Sequence, residues 1–218
     1  MFDLTPLQNL AIWALPVLFA VTVHEAAHGW VAALLGDKTA WMLGRVTLNP
    51  IKHVDPMGTL LVPGLLILMS SPFVMGWAKP VPITPQNLRN PKRDMALVAA
   101  AGPLSNLLMA IIWAALAKLG FALGGTLDWV ATPLVLMGYA GIAVNAMFFV
   151  FNLLPLPPLD GGRILVSVLP DRLGWQLSRI EPYGLLIVLA LVLTPVAGYT
   201  LIPAMTAIQK LLMLWAGV

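Results

Sequence analysis

The chain has 218 residues, of which 60% are hydrophobic and 10% charged, with twelve Lys and Arg against nine Asp and Glu. Soluble domains carry about 25% charged and 45–50% apolar residues, so this composition excludes an ordinary soluble protein, a disordered chain and a nucleic-acid binder. A net charge of +3 is too small to imply a polyanionic partner, and the absence of cysteine excludes disulfides, zinc ribbons and thiol catalysis, leaving His, Asp and Glu for any metal site.

The first apolar stretch, residues 7–35, follows Met1-Phe2-Asp3 with neither the basic start nor the small-residue cleavage site of a removable signal, and reads as a true span. Gly36 is a plausible helix stop. Residues 39–56 are polar, with β-branched and turn residues, and predict a short β-hairpin. Residues 57–76 are apolar but contain Pro63-Gly64 and Ser70-Ser71-Pro72, so a re-entrant dip is expected rather than a straight span. Four prolines make 77–92 an extended loop. Residues 93–119 form a second span, interrupted by Gly102-Pro103, with a loop over 120–132. A third span covers 133–154 and closes on a Pro- and Gly-rich stretch, and a fourth covers 183–199. Residues 201–217 are apolar but short for a crossing.

The expected fold is an all-α polytopic membrane protein. Three core transmembrane helices are joined by the hairpin and re-entrant segment and followed by one or two C-terminal helices. One domain fills 1–218, with its core at about 7–170 and the C-terminal helices at 183–217. No internal repeat is visible.

The chemistry lies in His24-Glu25-Ala26-Ala27-His28, inside the first span. Histidines four apart share one helical face and can reach one ion. Glu25, about 100° further round, can touch a ligand of that ion without binding it. H-E-x-x-H on a helix is the zinc-hydrolase pattern of two ligands and a general base. With this composition, chance supplies roughly 0.0004 matches per chain. Ionisable groups at membrane depth also cost about 2.5–3.5 kcal/mol each on insertion scales, which a bound cation offsets.

Catalytic zinc takes about three protein ligands. His53 lies in a polar loop and reads as a capping or loop histidine, with a polar group near the active-site mouth as the alternative. Among the carboxylates, Asp160 is best placed as third ligand, at the end of a span. Its alternative is a cap or turn aspartate before Gly161-Gly162. A transporter or proton relay, which also places His and Glu in helices, is the competing functional class.

His24-Glu25-Ala26-Ala27-His28, followed far downstream by Asn152-Leu153-Leu154-Pro155 and Leu159-Asp160-Gly161-Gly162, resembles the site-2 protease family of intramembrane zinc metalloproteases. Gly102-Pro103-Leu104-Ser105-Asn106 is similar to that family's third signature. The resemblance covers about residues 7–170 and implies one Zn²⁺ on His24, His28 and Asp160, with Glu25 as the base. It also implies that Asn152 and Asn106 help hold the substrate backbone. No PDZ or CBS domain is recognisable, so the chain resembles a minimal, catalytic-core form.

The implied activity is cleavage of transmembrane segments of membrane proteins, as in regulated intramembrane proteolysis. The expected partners are a membrane-embedded protein substrate and the lipid bilayer, with no nucleic acid. An exposed strand within 40–49 or 73–83 is a candidate for capturing an unwound substrate segment. The expected location is a prokaryotic plasma membrane, as a multi-pass protein. Ten of the twelve Lys and Arg fall in 36–94 and 155–182, which places those loops and the active site toward the cytosol.

Overall fold

The computed structural model describes residues 4–69 and 76–217. Helix α1, Pro6–Leu34, starts from a capping box in which Thr5 and Gln8 exchange side-chain and backbone bonds, with Pro6 in the first turn. Gly36, at φ 117°, then turns the chain. A Cβ there would also stand 2.9 Å from the Asn87 carbonyl.

Among the described residues, four further helical pieces precede the next long helix. They are α2 (Thr39–Met42), a 3-10 turn over Pro50–His53, a π-helical turn over Pro56–Leu61 that runs into α3 (Val62–Leu68), and a 3-10 turn over Pro85–Asn87. The hairpin expected over 39–56 is therefore absent. Side chains bond the local backbone instead: Asn49 accepts from the Ile51 N–H, and Asp55 from those of Met57 and Gly58. These contacts nucleate single helical turns and leave Val46 and Thr47 without a facing strand.

The re-entrant reading of 57–76 includes residues 70–75, which lie outside the described residues. The flanks agree with it. Trp77 N–H donates to the Gly58 carbonyl at 3.0 Å, and the Thr59 hydroxyl donates to the Trp77 carbonyl at 2.9 Å. The chain is thus back at residue 77 where it stood at residue 58.

Asp37 ties this region together. Its buried carboxylate accepts from the Thr39 N–H and hydroxyl, the Thr84 N–H and the Asn87 amide. Burial opposes its charged form, but these donors outweigh it and hold the carboxyl below its usual range. A depressed folded pKa contributes stability above the unfolded value, and that stability is lost as pH falls through the folded one. Asp37→Ala is expected to destabilise the detergent-solubilised protein by about 2–3 kcal/mol at neutral pH. The gap from wild type should close below about pH 4, as read by thermal denaturation across pH.

Helix α4, Pro91–Leu123, and α5, Asp128–Asn152, complete the long helices. With α1 they are the three described helices long and apolar enough to cross a membrane. The loop expected over 120–132 shrinks to 124–127. Gly120 lies within α4, and because a Cβ there would stand 2.9 Å from the Ala131 carbonyl, its absence lets α5 pack directly on it.

The register follows from side-chain contacts. On α1, residues 24 and 28 meet α4 at residues 106 and 98, so these helices are antiparallel. Gly138 of α5 faces Ala117, Gly141 faces Trp113, and Asn145 meets Asn106, so α4 and α5 are also antiparallel. Helices α1 and α5 therefore run the same way. Trp113, Ala114 and Ile142 form the buried centre of the α4–α5 contact.

After α5 the chain doubles back into α6 (Asp160–Val168) and α7 (Asp171–Ser178). The fourth span expected over 183–199 is divided. Helix α8, Glu181–Leu193, ends at Thr194, and α9, Pro195–Ala216, begins there. Proline in a first turn loses no intrahelical bond, so Pro195 starts a helix that the sequence reading placed further on. The Lys118 ammonium donates to the Trp215 carbonyl near the end of α9.

Candidate active site

Ten residues of α1, about 15 Å of helix, separate His24 from Leu34. The site thus lies nearly three turns in from the C-terminal end of that helix at His24. His24 and His28 are buried with ring centroids 4.6 Å apart. Their Nε2 atoms lie 3.1 Å from each other. Asp160 Oδ2 lies 3.2 Å from the Nε2 of His24 and 3.4 Å from that of His28.

Glycines make this approach possible. A Cβ on Gly102 would stand 2.4 Å from His28 Nε2, so only glycine lets α4 pass the histidine pair. On Gly161 a Cβ would meet the Leu153 carbonyl at 2.3 Å, and on Gly162 the Pro157 nitrogen at 2.1 Å. These two let α6 tuck under the end of α5 and carry Asp160 inward. Asp160 is the first residue of α6, not its N-cap, which is Leu159. Its carboxylate faces the histidines.

The donor set fits a zinc ion. The Val98 carbonyl, 2.7 Å from His28 Nδ1, can only accept, so that nitrogen carries the proton and Nε2 keeps its lone pair. Asp160 Oδ2 is buried with no hydrogen-bond donor. Two lone pairs and a carboxylate oxygen facing one point need a cation between them. Donors on a tetrahedral zinc at about 2.1 Å are spaced by about 3.4 Å, close to the separations here. Among the described residues, His24, His28 and Asp160 form the group able to hold a metal.

A cavity of about 140 Å³ opens onto this group. Half-buried Glu25 lines it, with Oε2 accepting from the Val81 N–H at 2.7 Å. Asn152 also lines it, its Nδ2 donating to the Phe148 carbonyl at 3.0 Å. Asn106 does not. It is fully buried, with Oδ1 2.6 Å from His24 Nδ1 and its amide hydrogens on the Ala20 carbonyl and Asn145 Oδ1, both at 3.0 Å. With every polar atom taken, it faces the back of a histidine and not the cavity where a substrate backbone would lie.

His53 is buried, with Nε2–H donating to the Thr47 carbonyl, and holds a loop. Of the two candidate capture strands, 40–49 begins in α2. In 73–83, residues 73–75 lie outside the described residues, and the remainder has no regular secondary structure, with Pro80 and Val81 on the cavity wall.

Three contributors escaped the sequence reading. Arg163 lines the cavity, and its spacing of three from Asp160 puts it one turn along the same face. Asn145 is two turns before Asn152. The Val81 N–H is the sole backbone donor within Pro80-Val81-Pro82, a signal that was available once a partner was in view.

A family model described as Peptidase family M50 matches residues 126–195, which include Asn152 and Asp160. The chain is 39% identical over 203 residues to a Bacillus subtilis protein named zinc metalloprotease YwhC, covering 93% of this chain and 89% of that one. It is 30% identical over 193 residues to a Mycolicibacterium smegmatis protein named zinc metalloprotease Rip2, covering 87% and 71%. It is also 35% identical over 145 residues to a Methanocaldococcus jannaschii protein named zinc metalloprotease MJ0611, covering 65% and 62%. No solved structure matches the chain. These relationships displace the transporter reading. The chain belongs to peptidase family M50 and is a zinc-dependent membrane metalloprotease.

Proposed function

We propose that this protein cleaves peptide bonds within transmembrane segments of other membrane proteins, as in regulated intramembrane proteolysis. The observation that carries the proposal is the depth of the site: His24, Glu25 and His28 sit about 9–15 Å in from the C-terminal end of a membrane-length helix, and a cavity of about 140 Å³ opens beside them. His24, His28 and Asp160 hold the zinc. When bound, zinc acidifies a water and polarises the scissile carbonyl.

The Val81 N–H holds one oxygen of Glu25 and leaves the other for chemistry. Glu25 takes a proton from the attacking water and returns it to the leaving nitrogen. The Asn152 amide and the Arg163 guanidinium stand on the cavity wall, where each can hold a substrate carbonyl. A helical substrate shields its own carbonyls, so a segment must unwind before attack, and Pro80-Val81-Pro82, whose prolines hold the residues before them out of the helical region, offers non-helical backbone beside the site.

Co-expression with a panel of single-span membrane proteins tests the proposal. Fragments cut within the span are expected with wild type and absent with Glu25→Gln, whereas cuts confined to loops outside the span would defeat it. Asn152→Ala is expected to lower turnover by about 10-fold or more while zinc content holds. If zinc falls in step, the side chain is not a substrate contact.

A plasma-membrane location with the active site toward the cytosol rests on the charge asymmetry and on the parallel α1 and α5. The native chain has no cysteine, so single cysteines report cleanly. Cysteines at exposed Lys38 and Arg93 are expected to label from the cytosolic side, and one at exposed Thr126 from the other. Labelling of Lys38 and Arg93 from opposite faces would sink this topology.

A further inference from the structure

We propose that Asn145 is a positioning residue for the metal site: acting through Asn106, it fixes which nitrogen of His24 carries the proton. The inference rests on the zinc-peptidase reading and deepens it. It begins at a carbonyl. The Gly141 oxygen can only accept, so the Asn145 group 2.9 Å from it is Nδ2. Asn145 Oδ1 is then the atom turned toward Asn106, and it accepts an amide hydrogen at 3.0 Å. The second amide hydrogen of Asn106 goes to the Ala20 carbonyl, also at 3.0 Å. Only Oδ1 of Asn106 is left for His24, at 2.6 Å. An oxygen that accepts needs a proton on His24 Nδ1, so Nε2 presents its lone pair toward His28 and Asp160.

The directionality crosses three helices, from α5 through α4 to α1. Both asparagines have no exposed surface. A buried amide without water must satisfy its hydrogens within the protein. Without Asn145, one N–H of Asn106 has no acceptor, and the amide gains by rotating out of its His24 contact toward a helix carbonyl. His24 is then free to turn and to change tautomer. His28 needs no such relay, because the Val98 backbone carbonyl sets its proton directly. Removing a partner that orients a metal-binding histidine typically weakens metal binding by about 10–100-fold.

The test uses the full chain in detergent micelles and measures zinc affinity by competition with a chromophoric chelator. Asn145→Leu is expected to bind zinc about 10-fold more weakly, and Asn106→Leu at least as weakly. The double variant should be no weaker than Asn106→Leu alone, because one acts through the other. If Asn145→Leu does not fold, Asn145→Ser keeps a hydroxyl for Gly141 but is too short for Asn106, and the same loss is expected. With Co²⁺ in place of zinc, the visible spectrum of either Asn145 variant should differ from wild type. Wild-type zinc affinity in the Asn145 variants overturns the inference, as does a double variant whose losses add. A wild-type chain that binds no zinc overturns the zinc reading as well, which separates the two failures.

Discussion

Glu25→Gln is expected to keep about one zinc per chain and to lose about 10²–10⁴-fold in peptide cleavage, the usual contribution of a positioned acid–base group. Glu25 is one position from His24, on a different line of the helix, and is not part of the His24–His28–Asp160 group. Its carboxylate is engaged by the Val81 N–H at 2.7 Å. Glutamine has the same shape and its carbonyl oxygen accepts that bond, so the helix and the extended segment stay as they are. What glutamine lacks is an oxygen able to take a proton from water. Zinc analysis of the purified variant, alongside fragment formation from a transmembrane substrate, separates the two properties. Cleavage at the wild-type rate would remove Glu25 from the chemistry, and loss of zinc would make its role structural.

Asp160→Ala is expected to abolish both zinc binding and cleavage, and His24→Ala to do the same. Two imidazoles on one helix face give only two donors, and catalytic zinc takes about three. Asp160 Oδ2 is buried, without a hydrogen-bond donor, 3.2 and 3.4 Å from the two Nε2 atoms. That is a costly place for a carboxylate unless a cation is there. A second consequence follows. Zinc should stabilise the wild type against thermal unfolding, by about 2.7 kcal/mol at a hundredfold excess over its dissociation constant, and should leave Asp160→Ala unmoved. Chelator should inhibit the wild type, and added zinc should restore it. Full zinc in Asp160→Ala would remove this residue from the site.

Which parts of this were readable in one dimension follows from the range of the interactions involved. The metal-binding face of α1 is a local property, because a spacing of four along a helix brings His24 and His28 together whatever surrounds them. The membrane character follows from composition alone. Gly102, Gly161 and Gly162 appeared in the sequence as members of motifs. Their purpose became visible only when α4 passed the histidines and α6 passed beneath α5, since a missing Cβ matters only against a specific neighbour.

The hairpin expected over 39–56 failed for a related reason. β-branched residues favour strands where another strand faces them, and here side-chain caps at Asn49 and Asp55 hold the backbone in helical turns instead. The fourth span failed at Thr194-Pro195, where hydropathy runs on and the helix does not.

By itself the sequence determined that the chain lives in a membrane, that a zinc-hydrolase motif lies inside the first span, and that Asp160 is the carboxylate to test, because the first two rest on composition and on spacing within one element and the third on a carboxylate standing at the end of an apolar span. Tertiary structure decided the rest. It brought Asp160 to the histidines across more than a hundred residues, turned Asn106 from an expected substrate contact into the hydrogen-bond partner of His24, and set Val81 on Glu25. It also joined Asn145 to that network. Those pairings depend on the antiparallel register of α1, α4 and α5, which is set by where glycine and alanine let helices approach, and no period along the chain encodes which residues then meet.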